Sequence, residues 1–112
     1  MTFKQGDIIK FDFNPTLGHE QAGYRPAVII SRELFNKKTG HIIVCPITLK
    51  ARPYPTRIPL DGSTKTKGFV ICEHVKTVDY NVRKPKFIER IDESILDNVL
   101  AIVNAEIQKD KF

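Results

Sequence analysis

Residues 7–13, DIIKFDF, place Ile9, Phe11 and Phe13 on one side of an extended chain and Lys10 and Asp12 on the other. Apolar residues at a period of two are the mark of a half-buried β-strand. Asn14-Pro15 ends it. The segment TLGHEQAGYR (16–25) has two glycines and no periodicity, and reads as an exposed loop. PAVIIS (26–31) is a continuous β-branched run, which predicts a fully buried strand with Pro26 tolerated at its first position.

HIIVCPIT (41–48) is a further apolar strand, in which Pro46 predicts a bulge or an edge location. Between these two strands, RELFNKKTG (32–40) forms one or two helical turns or a loop, since Ser31 can cap and Gly40 can terminate. Residues 50–67 hold Pro53, Pro55, Pro59 and the turn Asp61-Gly62 around TRIPL, and read as a long, mobile hairpin suited to a lid or binding loop. GFVICEHVKTVD (68–79) and KFIERI (86–91) complete five or six strands. From Asp92 onward, Ile95, Leu96, Val99, Ile102, Val103 and Ile107 recur at spacings of three and four, with Asp92 as N-cap. The expected fold is mostly β: five to six largely antiparallel strands in a small barrel or curled sheet, with a C-terminal α-helix.

The chain has 112 residues, 41% hydrophobic and 28% charged, with a formal charge of +5. That size predicts a single domain over 1–112 with one core and no separate catalytic module. General disorder, which needs low hydrophobicity, is excluded. The N-terminus offers neither the apolar run of a signal peptide nor that of a membrane helix, so a cytoplasmic location and no membrane partner are expected. Cys45 and Cys72 lie in apolar contexts and read as buried, reduced thiols. His19, His41 and His74 sit in no metal-binding motif, and the phosphate-loop, dinucleotide and nucleophile-elbow signatures are missing, so neither metal nor cofactor is expected.

Charge is unevenly spread. Residues 50–67 set Lys50, Arg52, Arg57, Lys65 and Lys67 against Asp61 alone, and 76–90 set five cations against Asp79 and Glu89, whereas 92–107 hold only acids. With Tyr54, Tyr80 and Phe87 interleaved, the basic segments suit a surface that tracks phosphates and stacks unpaired bases. A solvated loop is the plain alternative.

One constellation carries chemistry: Glu20 and Arg25 in the first loop, and Thr48 at the end of the third strand. Attack of a ribose 2′-hydroxyl on the adjacent phosphate needs a proton acceptor, positive charge on the phosphorane oxygens and a proton for the departing 5′-oxygen. A guanidinium can grip two phosphate oxygens and a Thr hydroxyl a third, while Glu20 or His19 moves protons. Alternatively Arg25 and Glu20 form a surface ion pair worth about 0–1 kcal/mol. Of the other histidines, His41 reads as structural, and His74 can face either way.

GHEQAGYRPAVIIS (18–31), GDIIKFDFNPTLG (6–18), VCPITLK (44–50) and EHVKTVDY (73–80) together resemble the MazF/PemK family, the toxin components of bacterial toxin–antitoxin pairs. The resemblance covers most of the chain. It implies an SH3-like barrel, a homodimer, metal-free cleavage of single-stranded RNA at short motifs, and inhibition by a cognate antitoxin. It places the catalytic Arg on Arg25, the catalytic Thr on Thr48 and the acidic loop position on Glu20. His19, Gln21, Tyr24, Lys50, Arg52, Tyr54 and Arg57 are the expected substrate contacts. Products would carry a 2′,3′-cyclic phosphate and a 5′-hydroxyl, and DNA would resist, lacking the nucleophile. Many relatives have His before the Arg-Pro pair where this chain has Tyr24, a weaker base at neutral pH. The same barrel also supports a toxin that binds DNA gyrase, or a plain RNA-binding module, and fold alone does not separate these.

Overall fold

The computed structural model describes residues 2–15, 18–19 and 22–111. The element order is β1 (Asp7–Asp12), β2 (Tyr24–Ile29), α1 (Glu33–Thr39), β3 (His41–Thr48), β4 (Arg57–Pro59), β5 (Phe69–Ile71), β6 (Lys76–Asp79), α2 (Tyr80–Arg83), β7 (Lys86–Arg90) and α3 (Glu93–Ile107). The strands pair antiparallel in the order β4-β5-β3-β2-β1-β7, with β6 added beside β3. The fold is thus mostly β with a C-terminal helix, as expected, but with seven strands. Among the described residues no pairing joins β4 to β7, so the sheet curls without closing.

The additional strand comes from residues 68–79, which are two strands rather than one. β3 pairs with β5 at Ile47↔Val70 and with β6 at Val44↔Lys76. The two registers differ by three residues, so Glu73, His74 and Val75 are looped out between them. Pro46 sits where β3 changes partner from β6 to β5. A residue without an N–H therefore costs no ladder bond there, and the register with β2 runs straight through at Ala27↔Pro46. It marks neither a bulge nor an edge.

Both faces of the sheet are covered. Ile9, Phe11 and Phe13 pack together as the alternation predicts, with Ala27, Ile29 and Ile42. Ile8 points the other way, into a second layer formed with Val28, Ile47 and Val70 beneath Ile95, Leu96, Val99 and Val103 of α3. Fully burying an Ile or Val contributes about 1.5–3 kcal/mol, against about 0–1 for an exposed ion pair, so these two layers outweigh the surface charges. Ile107, at the end of the predicted apolar stripe, is exposed instead.

The helix termini differ in detail from the sequence reading. α1 has Arg32 as N-cap, and Ser31 instead hydrogen-bonds Asn36 and accepts from Ile43 N at 2.9 Å. Gly40 ends α1 in the left-handed region, at φ +72°, where a side chain would be strained. Asp92 does precede α3, but its carboxylate accepts from the Ser94 hydroxyl rather than from a helix N–H.

Cys45 and Cys72 are free and wholly buried. The Cys72 thiol beside it, followed by burial, pushes the Cys45 thiol far above the usual range. Since the thiolate is the reactive form, native protein at neutral pH is expected to resist a thiol-specific reagent until it unfolds, whereupon both cysteines react. Fast labelling of folded protein would contradict this packing.

Candidate active site

β2 begins two residues earlier than the sequence reading placed it. Asp12↔Tyr24 and Phe11↔Arg25 are paired, and Phe13 N donates to Gly23 O at 2.9 Å. Arg25 therefore stands on a strand, not in a loop, and its guanidinium reaches Thr48 at the end of β3, where Nη1 donates to Oγ1 at 3.3 Å. Two residues 23 positions apart are joined because their strands are neighbours. Nε of Arg25 donates to the Ala22 carbonyl, which ties the preceding loop to the same side chain. The Thr48 hydroxyl in turn donates to Lys50 O at 3.5 Å.

Beside this pair lies an open cleft of about 370 Å³, lined in part by Arg25. Tyr24, Arg25, Pro26, Ile47 and Leu49 line it, together with Lys10 and Lys67. Tyr24 is 58% exposed, and Nζ of Lys10 lies 5.1 Å from its ring centroid. The cleft combines fixed positive charge with one exposed ring and apolar walls, a composition suited to a nucleotide: phosphate on the cations, base on the ring.

The expected site residues divide into groups. Arg25, Thr48, Tyr24 and the Lys50 backbone come together. Glu20 and Gln21 lie outside the described residues. His19 is exposed in a turn. Arg52, Tyr54 and Arg57 form a unit of their own: the Arg57 guanidinium stacks on Tyr54 at 5.4 Å, donates to Arg52 O at 3.2 Å and pairs with Glu73 at 2.8 Å. His41 and His74 do not line the cleft.

The 50–67 segment is not a hairpin in itself. β4 pairs with β5, so the hairpin spans 57–71. It is clamped at both ends. Thr56 and Arg57 bind the looped-out Glu73, and Lys65 N and Thr66 N donate to the Glu89 carboxylate at 3.0 and 2.7 Å. The basic segment 76–90 is also partly structural, since Arg83 donates to Asp12 O and Arg90 pairs with Asp7 at 3.1 Å. Tyr80 packs on Phe3 and donates to Asn36 O, so it is no stacking platform.

Burial pushes the Glu73 carboxyl up, but hydrogen bonds from Arg57 and Thr56 outweigh it and hold the group below its usual 4.5. A carboxyl depressed in the folded state adds stability above the unfolded value, and that stability is lost as pH falls through the folded value. Glu73→Gln is therefore expected to cost about 1–2 kcal/mol at pH 7. In paired thermal melts the gap to the parent protein should shrink as pH drops below about 4.5. A gap independent of pH would show that the Arg57 clamp contributes nothing.

Sequence reasoning missed Lys10, Gly68, Glu73 and Glu89, and gave Lys67 only as one cation of the basic 50–67 segment. Lys10 was visible only as an outward-facing strand residue, and its place at the cleft depends on the register Lys10↔Pro26. Among the described residues no three His, Cys, Asp or Glu side chains converge as a metal site would require, and no helix is long and apolar enough to cross a membrane.

The chain is similar to proteins of known family and fold. Residues 4–107 match the family model described as PemK-like, MazF-like toxin of type II toxin–antitoxin systems. The endoribonuclease toxin MazF of Escherichia coli K12 is 40% identical over 78 residues, 70% of this chain and 69% of that protein. The crystal structure of MazF from Deinococcus radiodurans superposes with a TM-score of 0.91 at 27% identity, covering 97% of this chain and 99% of that one. A MazE–MazF complex from the same organism matches with a TM-score of 0.85 at 26% identity over 98% and 99% of the two chains. On the family match, the sequence identity and the shared fold together, the chain belongs to the PemK-like, MazF-like toxin family of type II toxin–antitoxin systems.

Proposed function

We propose that this toxin is a sequence-specific, metal-independent endoribonuclease that cuts single-stranded RNA in the cytoplasm and so inhibits translation and growth. The observation that carries the reading is the Arg25–Thr48 pair, whose Arg25 lines a cationic cleft. Arg25 places permanent positive charge and a two-pronged donor where the phosphorane oxygens gain charge. Thr48, already hydrogen-bonded to Arg25, orients the phosphate. Glu20, two residues before the Ala22 carbonyl that holds Arg25, accepts the 2′-hydroxyl proton in this scheme. The oxygen attacks phosphorus, the bond to the 5′-oxygen breaks, and a proton returns to that oxygen. Tyr24 offers a ring for the flanking base, with Gln21 and His19 as further contacts from the preceding loop. Arg52, Tyr54 and Arg57 bind RNA beyond the cleft.

A second copy of the chain and a cognate antitoxin are the proposed protein partners. Membership of a toxin–antitoxin family and similarity to a MazE–MazF complex support the antitoxin, whose acidic segments would occupy the basic cleft. The test of the chemistry is the nature of the ends. Incubation with a long RNA in excess EDTA should give discrete fragments with 5′-hydroxyl and 2′,3′-cyclic phosphate termini. Fragments bearing 5′-phosphates would overturn the mechanism, and intact RNA would favour a gyrase-directed or purely binding toxin.

A further inference from the structure

Lys10 and Lys67 reach the cleft from different parts of the fold, yet both are held there. Lys10 belongs to β1, paired with Pro26 next to Arg25, and its ammonium is steadied over the Tyr24 ring. Lys67 lines the same cleft from the connection between β4 and β5. Its placement is over-determined. Gly68, which follows it, has φ +119° and packs so closely on the Thr48 carbonyl that a Cβ there would lie 2.1 Å from the oxygen. Just before it, Thr66 N and Oγ1 both donate to Glu89.

The cleft therefore gathers three cations, Lys10, Arg25 and Lys67, and no described acid lines it. Like charges converging without a counter-ion repel one another, and a polyanion relieves that repulsion. Arg25 is already committed to Thr48 and to the reacting phosphate. The other two line the same cleft from β1 and from the β4–β5 connection, and are left for phosphates next to the reacting one.

We propose that Lys10 and Lys67 are the phosphate ligands that hold the RNA backbone next to the reacting phosphate. This assignment rests on the endoribonuclease reading. Its test is the salt dependence of binding to a single-stranded RNA that carries a 2′-deoxynucleotide at the mapped cut site, so that it binds without being cut. Each phosphate contact on a single strand contributes about 0.7 to the slope of log K against log salt. Lys10→Ala and Lys67→Ala should each lower the slope by about that amount, and Lys10→Arg and Lys67→Arg should restore it. Lys38→Ala, an exposed change on α1 away from the cleft, should leave it as in the parent protein. An unchanged slope in either lysine-to-alanine variant, with unaltered melting, overturns the assignment while leaving the nuclease intact. Failure of the parent protein both to cut RNA and to bind the analogue would instead sink the nuclease reading.

Discussion

Arg25→Ala is expected to slow RNA cleavage by about 10²–10³-fold, the usual loss when one preorganised donor to a developing oxyanion is removed. The reasoning is geometric. The guanidinium is fixed by its bonds to the Ala22 carbonyl and Thr48 before any substrate arrives, so little reorganisation accompanies the reaction. Arg25→Lys keeps the charge but loses the planar fork and the two fixed bonds, and should stay well below the parent rate. Because Arg25 is outside both apolar layers, melting should hardly change in either variant. Single-turnover rates alongside thermal melts check both statements. A variant with parental cleavage would remove Arg25 from the mechanism.

The second large effect concerns Gly68. A Cβ at this position would lie 2.1 Å from the Thr48 oxygen and 2.7 Å from its carbonyl carbon, and φ +119° is a conformation that L-residues rarely adopt. The neighbour is backbone, not the flexible end of a side chain, so β3 and β5 must separate. Gly68→Ala is therefore expected to cost about 3 kcal/mol, corresponding to a fall in Tm of roughly 10–20 °C. Cleavage should drop even below the new Tm, since the displaced residue is Thr48. A variant melting within a few degrees of the parent would show that the approach of these strands is not required.

How far these features were legible before the structure depends on their physical scale. The alternation of Ile9, Phe11 and Phe13 and the helical spacing of Ile95, Leu96, Val99 and Val103 are local patterns, and both describe real buried faces. Pro46 misled, because its tolerance depends on a change of partner strand that no local rule contains. The split between β5 and β6 was hidden for a similar reason: both strands follow the same edge of β3, and only the register exposes the three looped-out residues. At the site, Arg25 and Thr48 could be named from residue type and from family resemblance, but their contact is a product of strand order. Arg57 shows something similar: its charge suggested a substrate contact, and only the fold reveals that it also pairs with Glu73. Lys10 carried no local signal and Lys67 only that of a basic segment, since any exposed lysine looks alike until the cleft is built around it.

The most direct measurement uses one RNA containing the mapped cut site and a twin in which only the attacking 2′-hydroxyl is replaced by hydrogen, each incubated with the protein in excess EDTA. The mechanism predicts cleavage of the first at that site, and a twin that binds with similar affinity but stays whole there. Cleavage of the twin at the same bond would contradict it, because the nucleophile would then have to come from elsewhere.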